Sequence, residues 1–175
     1  AADGVYRWEQ RVAVPEGRYD IERVIDVDGD LLIDGNRILA ASYQGNLMAF
    51  DILSGRIVWG MSASSYHGMD RGFGNLYYAS DSSHVVAVRD NSEDVVWENE
   101  ELLNRAITAP KAINNYLAVA DFEGYVHLLS QIDGSVVGRV RADNDGVRAN
   151  LLSRNNRLFV YGNSGRLLSL TIQQN

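Results

Sequence analysis

An internal repeat of about forty residues constrains the fold of this chain more than any other feature of its sequence. Four similar segments, each an apolar run that ends in a turn, place Gly45, Ser83, Gly124 and Gly165 at the same position of that turn. The intervals between these positions are 38, 41 and 41 residues. The spacing predicts four copies of one structural unit.

Each unit consists of short apolar strands joined by turns. In the first unit a strand precedes Gly45, a second covers 47–50, and a third begins after Ser54-Gly55 and ends near Trp59. A shorter apolar stretch upstream supplies the fourth strand. No segment between the turns keeps a helical apolar period for the ten to twelve residues that a helix normally needs. Four-stranded units of about forty residues are typical of β-propeller blades, so we predict an all-β propeller with antiparallel blades.

The two ends of the chain contain partial units. Residues 1–175 are predicted to form one partial propeller: whole blades at 30–61, 66–99 and 106–141, an incomplete last blade at 147–172, and the outer strand of a preceding blade at 5–13. Propellers typically close with four to eight blades. About four blades therefore predict half of a propeller, although the two partial blades could also combine into a fourth blade.

The charge and composition of the chain argue against several classes of partner. The sequence contains 23 acidic and 16 basic residues, and the net charge of −7 argues against nucleic-acid binding, which needs a concentrated cationic face. No run approaches the roughly 20 apolar residues of a membrane-spanning helix, so a water-soluble chain is expected. The absence of cysteine excludes disulfides and thiolate metal sites.

Neither the acidic run nor the histidines predict a metal site. The segment 26–30, Asp-Val-Asp-Gly-Asp, alternates carboxylates as a calcium loop does. Leu31 and Arg37 then stand where the EF-hand pattern requires Gly and Glu, so an acidic connecting loop is the preferred interpretation. The histidines occupy different positions of the repeat: His67, His84 and His127. We predict no metal and no cofactor, and a hydrogen-bonded structural role for His127.

A short blade motif carries a first resemblance. Ala49-x-Asp51-x-x-Ser54-Gly55-x-x-x-Trp59 is similar to the motif of the pyrroloquinoline-quinone-type repeat. In that motif Gly permits a tight turn and Trp packs between neighbouring blades. The second unit keeps Trp97, whereas the third keeps Gly134 but has Gly138 at the Trp position. The predicted structural motif residues are Ala49, Asp51, Gly55, Trp59, Trp97 and Gly134.

Longer stretches resemble the family of the outer-membrane protein assembly factor BamB. They are 8–13 (WEQRVA), 22–28 (ERVIDVD), 41–45 (ASYQG), 102–110 and 124–129 (GYVHLL). The resemblance covers essentially the whole chain and corresponds to the C-terminal half of that family's eight-bladed propeller. The N-terminal half, including the lipid-bearing cysteine of the mature lipoprotein, is absent from this chain.

The resemblance implies a non-enzymatic accessory subunit in the periplasm, at the inner face of the outer membrane. Such a subunit binds the POTRA domains of BamA, assists the insertion of outer-membrane proteins, and is held at the membrane through its lipid anchor. Unfolded outer-membrane proteins are further candidate partners. The main alternative is a quinoprotein-like dehydrogenase or small-ligand-binding propeller, although no catalytic motif is present. A WD-type scaffold is weaker, because its Gly-His and Trp-Asp dipeptides are missing.

A long loop is the predicted partner site. Links between blades should lie at 15–28, 62–67, 99–105 and 142–146, on the same face as the turns between second and third strands. The interval from Trp8 to Trp59 is 51 residues against 38 from Trp59 to Trp97, so thirteen extra residues enter the first link. This link contains Ile21, Glu22, Arg23 and Val24, an Arg between aliphatic residues, as is typical of a contact centre. We predict that these four residues bind BamA. In the alternative, Ile21 and Val24 only pin the loop to its own blade.

The open ends predict self-association. Exposed strand edges and uncovered blade faces recruit other chains. If the partial blades do not complete each other within one chain, two copies should associate by pairing the strand at 5–12 of one with the strand at 166–171 of the other. Such a pair would form a ring of about eight blades.

Overall fold

The computed structural model describes residues 4–12, 29–42, 45–65 and 67–173. These residues form four separate antiparallel sheets. The first sheet contains β1 (Leu32–Asp34), β2 (Arg37–Ala41), β3 (Asn46–Asp51) and β4 (Ile57–Ser62), and the second β5 (Met69–Gly72), β6 (Asn75–Ala79), β7 (Val85–Arg89) and β8 (Val95–Asn99). The third contains β9 (Lys111–Ile113), β10 (Tyr116–Ala120), β11 (Tyr125–Ser130) and β12 (Val136–Arg141), and the fourth β13 (Leu152–Arg154), β14 (Arg157–Tyr161) and β15 (Leu167–Thr171).

Every sheet is a simple meander, in which each strand pairs with the next one along the chain. The first three sheets have four strands, and the fourth has three among the described residues. The structure confirms the predicted all-β architecture of repeated antiparallel blades. In the part of the chain that the structure describes, no helix has the length and apolar character to cross a bilayer.

The turn between the second and third strands is closed by the same backbone hydrogen bond in all four sheets. Its first residue donates its N–H to the carbonyl oxygen four residues later, at 2.9 to 3.1 Å. Ser42, Ser80, Asp121 and Gly162 are these first residues. The marker position of the repeat has a positive φ at Ser83, Gly124 and Gly165 alike, with values of 73°, 86° and 85°. The sequence repeat therefore reflects a turn that demands a left-handed residue.

The outer strand pair carries a bulge at the same place of each of the first three repeats. The register of β3 with β4 shifts between Ala49 and Phe50, and that of β7 with β8 shifts between Ala87 and Val88. The third sheet shifts between Leu128 and Leu129. A bulge bends the strand and increases its twist. The outermost strand of each of these sheets thus turns away from the plane of the inner strands at the level of the Trp position.

The hydrophobic core is divided into layers between successive sheets. One cluster joins the first and second sheets around Leu47 and Leu76, and a second joins the second and third around Tyr77 and Leu117. A third cluster joins the third and fourth sheets around Val126 and Leu158. Alternate side chains of a strand point to opposite faces, so each inner blade contributes to two layers. Blade packing, rather than one central core, holds the molecule together.

Trp97 and Trp8 each pack on a glycine turn of the blade that follows them in the chain. The indole of Trp97 donates to the Gln131 carbonyl oxygen at 3.1 Å, and a Cβ on Gly134 would lie 2.4 Å from its ring. Trp8 donates to the Ile52 carbonyl oxygen at 3.0 Å and covers Gly55 in the same way. Glycine is required at these turns because the ring lies directly against the backbone, and because φ is positive at both.

The N-terminal segment differs from the predicted outer strand at 5–13. Residues 4–12 form no strand, and residue 13 lies outside the described residues. A strand needs hydrogen-bonded neighbours, and no preceding sheet is present among the described residues. Trp8 nevertheless docks on the first blade. Its side chain holds the segment in place without a β-ladder.

The two marker glycines Gly124 and Gly165 allow a prediction that separates backbone strain from close packing. Both have φ near 85°, but a Cβ on Gly124 would lie 1.9 Å from the Asp143 carbonyl oxygen, whereas a Cβ on Gly165 would meet no atom within 4 Å. Gly165→Ala should lower the free energy of unfolding by about 1–2 kcal/mol from left-handed strain alone. Gly124→Ala should cost roughly 1–3 kcal/mol more because of the clash. Chemical denaturation checks this, and equal losses would contradict the packing argument.

Candidate functional site

The links between blades and the turns between second and third strands meet on one face of the sheets. The Phe122 N–H donates to the Arg105 carbonyl oxygen at 3.1 Å, and the Asn163 N–H donates to that of Gly146 at 3.0 Å. Each bond joins a link to the turn of the next blade. We call this surface the link face. Loops bonded to a sheet scaffold in this way hold their side chains in fixed positions, as binding surfaces often do.

The predicted partner residues Ile21, Glu22, Arg23 and Val24 lie outside the described residues, as do Asp26 and Asp28. The structure describes the chain again from Gly29. The Asn150 side-chain amide donates to Asp30 Oδ2 at 3.0 Å, and a Cβ on Gly68 would lie 3.0 Å from the Asp30 nitrogen. The long first link therefore returns to the link face beside the inner strands of the second and fourth blades.

A buried carboxylate organises the link face at the third blade. Asp121 is fully buried and accepts hydrogen bonds from Arg105 Nε at 2.7 Å and from His127 Nε2 at 2.8 Å. It also accepts the Tyr125 backbone N–H at 2.9 Å. Arg105 Nη2 also donates a hydrogen bond to Glu123 Oε2 at 2.6 Å. One carboxylate thus fixes the link from the second blade against the turn of the third, and His127 has the hydrogen-bonded role that its strand position predicts.

The pKa of Asp121 lies below its ordinary value. Burial raises the pKa of this carboxyl group, whereas hydrogen bonds from His127, the Tyr125 N–H and Arg105 lower it, and the lowering contributions together prevail. Asp121 is therefore ionised over the physiological pH range. A buried charge is tolerated only when it is paired and hydrogen-bonded, as it is here.

A second buried carboxylate, Asp143, fixes the next link. Ser164 Oγ donates to it, and so does the Asp145 N–H at 2.8 Å. The hydrogen bond from Ser164 is the main cause that lowers the pKa of Asp143, and the Asp145 N–H acts in the same direction. The Asp143 N–H donates to the Gly124 carbonyl oxygen at 3.2 Å. The third and fourth blades are therefore joined at the link face by a carboxylate.

The described part of the link face is acidic. Its exposed carboxylates lie on turns and links and at the end of β8, and they are Asp30, Asp81, Glu98, Glu100, Glu101, Glu123 and Asp145. Such a surface attracts a partner with a basic patch and raises the rate of encounter. Arg105 and Arg148 lie on links of this face and Arg141 and Arg166 at adjoining strand ends, so carboxylates are in excess there but cations are also present.

Sequence reasoning did not foresee one cluster on this face. His84 Nδ1 lies 2.6 Å from Glu98 Oε1, and the ligand atoms of His84, Glu98 and Glu100 lie within 4.8 Å of one another. The cluster arises because β7 and β8 are adjacent, so its members share no short sequence motif. Both glutamates are exposed and a hydrogen bond between His84 and Glu98 accounts for the close contact, so we assign no metal to the cluster.

Comparison with known proteins places the chain in a family. A family profile described as "Outer membrane protein assembly factor BamB" matches residues 1–99, which is more than half of the chain. The chain belongs to the BamB family. This confirms the resemblance that the longer sequence stretches carry.

The relatives in the BamB family are about twice as long as this chain. BamB of Pseudomonas aeruginosa is 45% identical over 170 residues, which are 97% of this chain and 45% of that protein. BamB of Shewanella oneidensis is 35% identical over 97% of this chain and 43% of its own length. The crystal structure of BamB from Moraxella catarrhalis superposes with a TM-score of 0.86 and 30% identity, covering 94% of this chain and 49% of that one.

A designed protein shares the fold alone. The crystal structure of the computationally designed Ika4 protein matches with a TM-score of 0.73 at 15% identity, over 95% of this chain and all of that one. The architecture of about four blades thus also occurs in a chain of unrelated sequence. The BamB relatives are named as assembly factors and not as enzymes, so the alternative of a quinoprotein-like dehydrogenase gains no support.

Proposed function

We propose that this chain forms half of the propeller of a BamB scaffold subunit, which binds the POTRA domains of BamA and assists the insertion of outer-membrane proteins. The observation that carries the proposal is the 45% identity to the assembly factor of Pseudomonas aeruginosa over 97% of this chain. The described residues support a scaffold role, because their buried polar groups fix links and turns. Asp121 and Asp143 both act in this way.

We place BamA on the link face, with Ile21, Glu22, Arg23 and Val24 of the first link at the centre of the contact. This link carries the thirteen-residue insertion, and its end at Asp30 is fixed by Asn150. An insertion that leaves a rigid scaffold and returns to it at a fixed point is a common form of binding loop. Arginine between aliphatic residues combines apolar contact with a charged anchor.

Replacing Arg23 with Glu is expected to weaken binding to isolated POTRA domains by about thirtyfold or more, since removing an interface Arg typically costs roughly 2 kcal/mol. The melting temperature should not change, because the residue belongs to the predicted link and not to a predicted strand. Arg18→Glu is the matched control. It makes the same change of charge in the same link, but Arg18 lies between Gly17 and Tyr19, whereas Arg23 lies between Glu22 and Val24 with Ile21 two residues before it.

Isothermal titration of the two variants and the unmodified chain measures this directly. Equal loss in both variants would show that only the net charge of the loop matters, and the assignment to Arg23 would fail. A loss of affinity together with a lower melting temperature would assign Arg23 to the packing of the loop instead. Unchanged affinity in the Arg23 variant would remove the residue from the interface.

The wider role follows from the same family membership. In the complete subunit we place this half-propeller at the periplasmic side of the outer membrane, attached through a lipid anchor outside these residues. Unfolded outer-membrane proteins are proposed as further partners of the assembled machinery. The acidic link face favours a BamA surface that presents basic side chains around the loop.

A further inference from the structure

The face opposite the link face carries an aromatic side chain that the fold does not require. We call this surface the turn face, and it contains the turns between first and second strands and those between third and fourth strands. Phe73 is the first residue of the turn between β5 and β6, and its side chain is 60% exposed. It belongs to none of the three core clusters. Packing therefore does not explain a phenylalanine at this position.

The backbone at Phe73 is strained. Its φ is 51°, in the left-handed region that a residue with a bulky side chain rarely adopts. The same position of the other three blades is held by Gly35, Asn114 and Asn155, with φ values of 57°, 52° and 51°. Glycine and asparagine tolerate this conformation. Phe73 is the exception among the four turns, and strained residues of this kind cluster at sites of function.

A second exposed apolar side chain leaves the neighbouring blade close to Phe73. The Tyr77 hydroxyl bonds the carbonyl oxygens of both Gly72 and Gln131, at 3.0 and 3.4 Å. Each of these two residues is followed directly by an apolar one. They are Phe73 on the second blade and Ile132 on the third, and Ile132 is 75% exposed. The two side chains therefore start from adjacent points of the turn face.

The backbone that carries this pair is held in place by Gln131. The Gln131 side-chain amide donates to the carbonyl oxygens of Asn114 and Tyr116, at 2.9 and 2.8 Å. The Trp97 indole donates to the Gln131 carbonyl oxygen at 3.1 Å. A Cβ on Gly72 would overlap Gln131 Oε1, so the turn of the second blade lies directly against this side chain. A fixed backbone that presents exposed apolar side chains is typical of interface anchors.

The surroundings of the pair are uncharged. The segments 72–75 (GFGN), 113–116 (INNY) and 130–132 (SQI) contain no charged residue. Asn114 and Asn115 are exposed, and amide side chains donate and accept hydrogen bonds as peptide groups do. A lipid surface or another anionic partner would require cations here, and a basic partner would require carboxylates. The patch thus fits the main chain and apolar side chains of an uncharged polypeptide.

The exposure of this patch belongs to the turn face itself. The second and third blades each pack against a described blade on both sides, so neither anchor lies on an uncovered blade. In an extended polypeptide, side chains two residues apart point to the same side and lie about 6.5–7 Å from each other. Two adjacent anchors match that spacing. An extended segment can place alternate apolar side chains on Phe73 and Ile132 while its peptide groups meet Asn114 and Asn115.

We propose that this patch of the turn face binds an unfolded polypeptide chain, through an extended uncharged segment with alternating apolar side chains. Phe73 and Ile132 are the anchors of the contact, and the strained backbone at Phe73 presents an aromatic side chain that the core does not use. The proposal rests on the proposed function, in which unfolded outer-membrane proteins are partners. It leaves the link face, and with it the BamA contact, unoccupied.

Fluorescence anisotropy with a labelled synthetic peptide tests the proposal. The probe is an uncharged peptide that alternates Tyr or Val with Ser or Thr. The unmodified chain should bind it saturably, with the same dissociation constant at low and high salt because no charges are involved. Phe73→Asn should raise the dissociation constant by about tenfold or more. The same substitution should raise the melting temperature, because asparagine tolerates the left-handed backbone. Ile132→Ser should also weaken binding.

Two controls separate this contact from others. Phe122→Ala, which removes a side chain that is 49% exposed on the link face, should leave the affinity for the peptide unchanged. Phe73→Asn should leave the titration with POTRA domains unchanged, so a failure of the proposed function and a failure of this proposal give different results. Absence of saturable peptide binding, peptide binding that survives Phe73→Asn, or a lower melting temperature of the Phe73→Asn variant would each overturn the proposal.

Discussion

Replacing Trp97 with Ala is expected to lower the free energy of unfolding by about 3–5 kcal/mol, the range for large aromatic side chains in cores. Trp97 is 9% exposed, stacks on Tyr77, and donates its indole N–H to the Gln131 carbonyl oxygen. The substitution leaves a cavity between two blades and removes a hydrogen bond from a buried carbonyl group. Both losses act in the same direction.

The other two tryptophans provide an internal comparison. Trp59 and Trp8 are only partly buried, and Trp59 borders its core cluster rather than lying within it. The turn that Trp59 faces has Glu93 where the other two turns have glycine. We therefore expect the loss of stability to be largest for Trp97→Ala. Equal shifts in melting temperature for all three Trp→Ala variants would contradict the difference between the blade interfaces.

Replacing Asp121 with Ala is expected to have a comparable effect, a loss of about 3–5 kcal/mol, because it leaves buried partners unpaired. Arg105 and His127 both lose their carboxylate acceptor. Glu123→Ala is the matched control, since Glu123 binds the same Arg105 from an exposed position. An exposed ion pair contributes about 1 kcal/mol or less to the free energy of unfolding. Similar losses of stability in the two variants would show that the burial of Asp121 does not increase its contribution to the free energy of unfolding.

The contribution of Asp121 should also depend on pH. Its pKa in the folded chain is lower than in the unfolded chain, so its stabilising effect is fully present above the unfolded value of about 3.9. The effect is lost as the pH falls through the lower folded pKa. The stability difference between the unmodified chain and Asp121→Asn should therefore shrink in strongly acidic solution, as thermal melts from neutral pH downwards would measure. A difference that is constant across this range would contradict the assignment.

The local repeat could be predicted because its interactions are local. A strand of a meander pairs with its nearest neighbours in sequence, so the strand and turn pattern around Gly124 already determines the pairing of β10 with β11. The position of the turn could also be predicted from the sequence. Ser83 takes the left-handed conformation that its place in the repeat requires. The propeller architecture followed from these features.

The contacts between blades could not be predicted in the same way. Arg105 and Asp121 come from a link and a turn, and His84 meets Glu98 across two strands, so no fixed spacing identifies either pair.

The predicted partner residues 21–24 lie outside the described residues. A binding measurement is therefore the direct test of the proposed role as a BamA-binding scaffold. Isolated POTRA domains of BamA should be titrated with the unmodified chain. The account predicts saturable binding with one half-propeller per POTRA array, weakened by Arg23→Glu much more than by Arg18→Glu. Absence of binding by the folded chain, or binding that Arg23→Glu leaves intact, would contradict it.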